Sequence, residues 1–350
     1  MTLQVRNSSS LINNNFDLLR VLLATTVFLV HTYVLSGSLI LRSLADILSS
    51  EIAVRSFFVV SGFLIFMSFE NSSNISNYFS KRLRRIYPAY FSVIVLCSLM
   101  GVFITTLPVA DYFSLSWVKY LFSNLLFLNF VHPDLPGLFT QNPINAVNGA
   151  LWTLKIEVMF YLFVPLIVFN MRKFGYWKIL LLLYVISMLY RVVVEAWGLK
   201  SGSTIYLELT RQFPGQLVYF IAGAILYYNL EIFKQYGLLL LALAVVIMFL
   251  RQLLPVYWLE PMAIAIIIVY FACVFPWLGD FSKYGDFSYG IYILHFPILQ
   301  TLIQCGMFKK NPISAFLIAV LVVLITAYLF WHWIEKPFLR RASHYVEVSK

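Results

Sequence analysis

Arg20, His31 and Glu157 are the positions where this sequence would do chemistry, because each interrupts a run that is otherwise apolar. The stretch from Phe16 to His31, FDLLRVLLATTVFLVH, places an acid (Asp17), a base (Arg20) and a histidine (His31) in what otherwise reads as a membrane span. Arg20 and His31 are eleven positions apart. At ~100° per residue a helix makes three turns plus about 20° over that distance, so both project from one face, about 16 Å apart along the axis. Ionisable groups inside a bilayer are costly and mark candidate sites. A guanidinium stays charged and suits phosphate or carboxylate, and imidazole moves protons near neutral pH. Together they read as an anion held at the mouth of the helix with a proton-transfer group further in. The plainer account of His31 is a histidine hydrogen-bonded to a neighbouring helix. Asp17 fits the start of the helix, where the dipole favours an acid, better than a third catalytic role.

Glu157, in LWTLKIEVMFYLFVP, stands about one and a half turns into another apolar run and needs a buried partner such as an Arg or His. Lys155 points about 200° away from it on a helix, so the two are not expected to pair; the plainer account puts both at the membrane surface, Lys155 snorkelling outwards. Arg82, Arg84 and Arg85 precede Tyr87 and Pro88, and Pro88 suits the first turn of a helix. This cluster reads as a membrane anchor and also as an attractor for a polyanionic ligand. His295, in FSYGIYILHFPILQ, lies two residues before Pro297, which frees backbone carbonyls as partners for an imidazole. Its first reading is structural. Ser61, beside Gly62 in SFFVVSGFLI, points to close helix approach rather than to a nucleophile. His132, His332 and His344 fall at loops or interfaces and are given no role.

Several chemistries are excluded. The chain has no Gly-rich phosphate loop, HExxH, GxSxG or HxxxxD pattern. Its three cysteines, Cys97, Cys273 and Cys305, stand singly, so neither a disulfide framework, a zinc site nor another metal centre is expected.

The elements that must position these residues are membrane helices. Of 350 residues, 61% are hydrophobic and only 11% charged, which takes the chain outside the soluble class. The expected fold is all-α and polytopic, one membrane domain over 1–350, with about ten transmembrane helices near 18–36, 53–69, 87–107, 151–169, 176–194, 211–228, 235–251, 257–276, 286–304 and 313–334. The polar N-terminus shows no cleavage site, so the first span is expected to be retained. A long extracytoplasmic or re-entrant connection, 108–150, contains an amphipathic piece from Trp117 to Val131 and then an irregular, proline-containing loop from His132 to Gly149. The net charge of +10 would suggest nucleic acid in a soluble chain; here it is assigned to topology, with no nucleic-acid partner. Lys81, Arg82, Arg84, Arg85, Arg172, Lys173, Lys178, Arg340 and Arg341 fall on one side of a ten-span arrangement. That side is expected to be the cytoplasm, with both termini on it; Lys309 and Lys310 are the exception.

Six segments, in order, resemble the membrane-bound acyltransferase-3 family of bacterial integral-membrane O-acyltransferases. FDLLRVLLATTVFLVH is similar to the family's first helix, with its Arg, ten residues, His spacing met by Arg20 and His31. SFFVVSGFLI resembles its FFxxSGF segment, RLRRIYPAY its RxxRIYPxY, LWTLKIEVMFYLFVP its WSLxxExxFY, FSYGIYILHFP its SYxxYLxH and WIEKPF its terminal ExP. Thr153 and Lys155 are mild departures.

The resemblance implies transfer of an acyl group, most often acetyl, from cytoplasmic acyl-CoA to a hydroxyl of a cell-surface glycan such as O-antigen (lipopolysaccharide), capsule or exopolysaccharide. Acetyl-CoA enters as co-substrate, with no tightly bound cofactor; the partners are donor, free or lipid-linked glycan and membrane lipids, and the place is the bacterial inner membrane. Arg20 and His31 are implied to be essential, with Glu157 and the Arg84/Arg85 region supporting. On this basis His31 is the expected general base or covalent acyl carrier, Arg20 the group at the thioester or donor anion, Arg84 and Arg85 the donor-binding pair, and Glu157 an orienting carboxylate. Asp17, Ser61 and His295 are expected to support. Many relatives carry an SGNH hydrolase-like domain after the last helix, and the chain is expected to be a stand-alone member. The rival expectation is a flippase or transporter of a glycan or its lipid-linked precursor, with His31 and Glu157 as a proton relay; no inverted repeat supports it. A structural subunit of an export assembly is a third.

Overall fold

In a computed structural model, which describes residues 13–251, 257–281, 283 and 285–339, each expected span contains a helix. We number the longer helices α1 (Phe16–Ser36), α2 (Ser50–Glu70), α3 (Ile75–Met100), α4 (Leu115–Leu125), α5 (Trp152–Phe174), α6 (Tyr176–Ser201), α7 (Phe213–Tyr228), α8 (Leu230–Leu250), α9 (Glu260–Cys273), α10 (Ser288–Gln304) and α11 (Pro312–Phe330). The described residues form no strand, and seven helical stretches among them are long and apolar enough to cross a membrane. The protein is an all-α polytopic membrane protein. Arg340, Arg341 and His344 lie outside the described residues.

One boundary differs from expectation in a way that matters. α3 begins at Ile75, not near 87, because the Asn74 side chain accepts the Asn77 N–H at 2.8 Å and starts the helix among polar residues. Pro88 is therefore interior to the helix rather than in its first turn, and Arg82, Arg84 and Arg85 project from a helix rather than from a loop before one. The amphipathic piece is also shorter than expected, helical from Leu115 to Leu125. It buries Tyr120, Ser123 and Asn124 while Leu115, Val118 and Phe122 stay exposed, as a helix lying in an interface would.

By its contacts the chain divides into two interleaved units. The first comprises residues up to Leu19, Val54–Phe79 and Ile156–Gly279. Its centre is α7, buried continuously from Gly215 to Leu226 and packed on α6 and α9. Glycine makes that packing possible: a Cβ on Gly62 of α2 would lie 1.9 Å from the Phe220 carbonyl oxygen, and one on Gly223 would lie 2.1 Å from that of Val59. Asn15 closes α9. Its Nδ2 donates to the carbonyls of Phe271 (3.0 Å) and Pro276 (3.1 Å), and its Oδ1 accepts from Leu278 N–H (2.9 Å), satisfying groups that a helix C-terminus leaves open.

The second unit comprises Arg20–Ala53, Ser80–Lys155 and the chain from Asp280 on. Its centre is α10, packed against α11. Ala315, Ala319, Val323 and Ala327 recur every fourth residue and are buried, forming one small-residue stripe; Ala327 lies against Gly290, where a Cβ would come within 3.0 Å of its Cα. The long connection is tied to α10 by amides. Gln300 donates to the carbonyls of Ile144 (2.6 Å) and Ala146 (2.8 Å), and Gln304 donates to that of Ile104 (2.6 Å) and accepts from Phe139 N–H (2.9 Å).

Prolines inside helices release carbonyls that other elements use. Pro297 frees Ile293 O, which accepts from Asn148 Nδ2 at 2.8 Å, and Pro165 frees Tyr161 O, which accepts from Tyr78 Oη–H at 3.1 Å.

Candidate active site

The site is built within the second unit from α1 and α10. His31 Nδ1 and His295 Nε2 are 2.8 Å apart, a hydrogen bond across 264 positions of sequence. His295 is fully buried; its Nδ1 lies 3.1 Å from the Ile291 carbonyl, one turn back on α10. The expectation that Pro297 supplies the carbonyl for this imidazole is corrected: the released carbonyl goes to Asn148, and His295 uses Ile291 instead. His31 is only partly buried, and Phe296 packs edge-on against it with ring centroids 5.8 Å apart. Phe28 and Tyr292 lie 6.1 Å from the His295 ring. Tyr292 Oη in turn is 2.8 Å from Thr153 Oγ1. Both hydroxyls also reach the Ala150 carbonyl, Thr153 Oγ1 at 3.1 Å and Tyr292 Oη at 3.5 Å. The result is a half-open imidazole backed by a buried one in an aromatic wall.

Where α1 and α10 begin, Arg20 Nη2 meets Asp286 Oδ2 at 2.8 Å, and Arg85 Nη2 binds the same oxygen. Arg85 Nη1 reaches Glu335 Oε2 at 3.4 Å. Glu335 ends a π-helical turn, Trp331–Glu335, of a kind found frequently at functional sites. Asp286 Oδ1 accepts from Ser288 N–H (3.1 Å) and Oγ–H (2.5 Å), so this buried carboxylate is fully engaged. The pairing satisfies what burial demands of a charge. Arg84, by contrast, is exposed and donates to the Phe338 carbonyl at 3.4 Å. Asp17 lies in the first turn of α1.

Glu157 belongs to the first unit, where the expected Arg or His partner is replaced by hydroxyls: Tyr161 Oη–H donates to Oε1 at 2.5 Å and Ser61 Oγ–H at 3.3 Å. Ser61 and Glu157, picked out separately in the sequence, thus meet. Lys155 does not snorkel into open solvent alone; its Nζ lies 4.7 Å from the Phe130 ring centroid. His332 Nδ1 lies 2.9 Å from the Tyr328 carbonyl.

Sequence reasoning missed Asp286 and Glu335 as partners of Arg20 and Arg85. A usable signal existed for Asp286, since an acid two residues before a helix-starting serine is placed to accept from that backbone.

Residues 13–332 match the acyltransferase-3 profile, described as an acyltransferase domain. The chain belongs to this family. It is therefore an acyltransferase of the membrane, and the transporter reading is set aside. It is similar to an O-acetyl transferase of Shigella phage Sf6, 28% identical over 338 residues that cover 95% of this chain and 97% of that one. It is also similar to nodulation protein 10 of Rhizobium leguminosarum bv. viciae, 31% identical over 47% of this acyltransferase and 46% of the relative. A putative acetyltransferase of Acidianus two-tailed virus is 32% identical over 35% and 33%. No solved structure matches the chain.

Proposed function

We propose that this acyltransferase moves an acetyl group from acetyl-CoA to a hydroxyl of a cell-surface glycan. The observation that carries the reading is the half-open His31 ring, on the same helix as Arg20 and held at 2.8 Å by the buried His295 imidazole of α10. A base so held can take the proton of a sugar hydroxyl as its oxygen attacks the thioester carbonyl. The C–S bond then breaks, and the thiolate leaves with the proton that the imidazole returns. The full-length relation to a phage O-acetyl transferase supports acetyl as the group and oxygen as the acceptor atom.

Arg20 and Arg85, fixed by Asp286 and Glu335, set positive charge where α1 begins, and exposed Arg84 adds more. These cations suit the anionic parts of a CoA donor. We place this end at the cytoplasm of a bacterial inner membrane, because Lys81, Arg82, Arg84 and Arg85 fall within the first three turns of α3 and Arg172 and Lys173 in the last turn of α5, and an excess of basic residues favours the cytoplasmic side. Glu157 orients the Tyr161 and Ser61 hydroxyls.

Membranes carrying the protein, given acetyl-labelled acetyl-CoA and a surface glycan acceptor, should transfer label to the glycan. Label that stays in the donor with every acceptor of this class would overturn the assignment.

A further inference from the structure

The hydrogen bonds around the two imidazoles determine which nitrogen of His31 is the base. A carbonyl oxygen only accepts, so the 3.1 Å contact with Ile291 O places a proton on His295 Nδ1. A neutral imidazole has one N–H, so His295 Nε2 accepts. Its 2.8 Å partner, His31 Nδ1, must then donate. That leaves the His31 lone pair on Nε2, the nitrogen on the far side of the ring from His295. Burial agrees with this direction: the fully buried ring orients, and the partly exposed ring is the one a substrate can reach.

We propose that His295 is a positioning residue that holds His31 in its Nδ1–H tautomer, so that Nε2 faces the reaction as the base. The proposal rests on the general-base reading of His31 for its catalytic consequence. The arrangement places a neutral imidazole where many hydrolases place a carboxylate behind their histidine. It also survives the proton transfer. When Nε2 takes the acceptor hydroxyl's proton, Nδ1–H still donates to His295 Nε2, so the ring does not have to turn before it passes the Nε2 proton to the leaving thiolate. Phe296, edge-on to His31, and Phe28 and Tyr292 beside His295 limit rotation of both rings.

The test uses the full-length protein in lipid bilayers with ring-15N histidine, of which the chain has five. Solid-state NMR, with signals assigned from His31→Gln and His295→Gln samples, should show a pyrrole-type Nδ1 and a pyridine-type Nε2 on His31, and a correlation between His31 Nδ1 and His295 Nε2. A pyrrole-type Nε2 on His31 overturns the proposal. In the acetyl-transfer assay, His295→Gln, which keeps an acceptor oxygen, should retain turnover within about tenfold. His295→Phe should lower kcat by well over tenfold with little change in KM for acetyl-CoA, towards the roughly 10,000-fold loss found when a catalytic imidazole's tautomer is no longer fixed by its partner. Equal loss in both variants, with the His31 tautomer unchanged, would make His295 a packing residue only. If His31→Ala still transfers acetyl groups, the general-base reading falls while the tautomer measurement stands.

Discussion

Among the described residues two places gather arginines around a single buried carboxylate, and only one of them belongs to the proposed chemistry. In the second unit, Arg20 and Arg85 share Asp286. In the first, Arg55 and Arg251 share Glu260 Oε1 at 2.6 and 2.7 Å, with the guanidiniums of Arg55 and Arg191 over the Tyr219 ring. The two look alike as electrostatics. Both satisfy buried charges, and neither pairing says by itself that a ligand binds. The difference lies in what the arginines are attached to. Arg20 is three turns along one helix from a half-open imidazole, whereas the described contacts of the Arg55 cluster join α2, α6, α7, α9 and the end of α8. What sets the proposed site apart from the Arg55 cluster is charge on the same helix as an imidazole.

That contrast can be broken by matched substitutions. Asp286→Ala leaves Arg20 and Arg85 without their shared carboxylate, and removing one partner of a buried pair costs about 3–5 kcal/mol. We expect both less folded protein and, per folded molecule, at least a tenfold fall in acetyl transfer. Glu260→Gln should lower thermal stability similarly yet leave transfer per folded molecule unchanged. Equal specific activities in the two variants would erase the distinction.

A smaller effect is expected from Arg84→Ala. This exposed arginine should raise KM for acetyl-CoA a few-fold at low salt, with the difference shrinking at high salt as screening takes over. An unchanged KM at both salt levels would remove Arg84 from the donor end. Smaller still is Asn148→Ala, which removes the amide bonded to Ile293 O and leaves that carbonyl to find another partner. A loss of about 1 kcal/mol is expected, read as a modest fall in thermal midpoint in bilayers with kcat nearly intact.

The legible part of the molecule is what repeats locally. Each of the ten expected apolar runs holds a helix among the described residues, and the turn angle between Arg20 and His31 predicts that both lie on one face of α1. The start of α3 was misjudged because hydropathy is blind to a polar helix beginning at an asparagine cap, and Pro88 pulled the expected boundary with it. Partners across distant sequence were not legible. Arg20 and Asp286, His31 and His295, and Ser61 and Glu157 are brought together by packing of separate helices, and no periodicity records which helix faces which. Pro297 shows the limit well: it did free a carbonyl, but the geometry of the long connection, not the local sequence, decided that Asn148 takes it.

The central claim is that His31 performs the chemistry and does not merely hold the fold. The most direct measurement compares wild type and His31→Ala, purified into lipid nanodiscs in equal folded amounts, for acetyl-CoA binding and for acetyl transfer to glycan. The account predicts donor affinity within a few-fold of wild type and turnover reduced by at least ~100-fold, the share a positioned general base contributes. Turnover near the wild-type value in well-folded His31→Ala would contradict it.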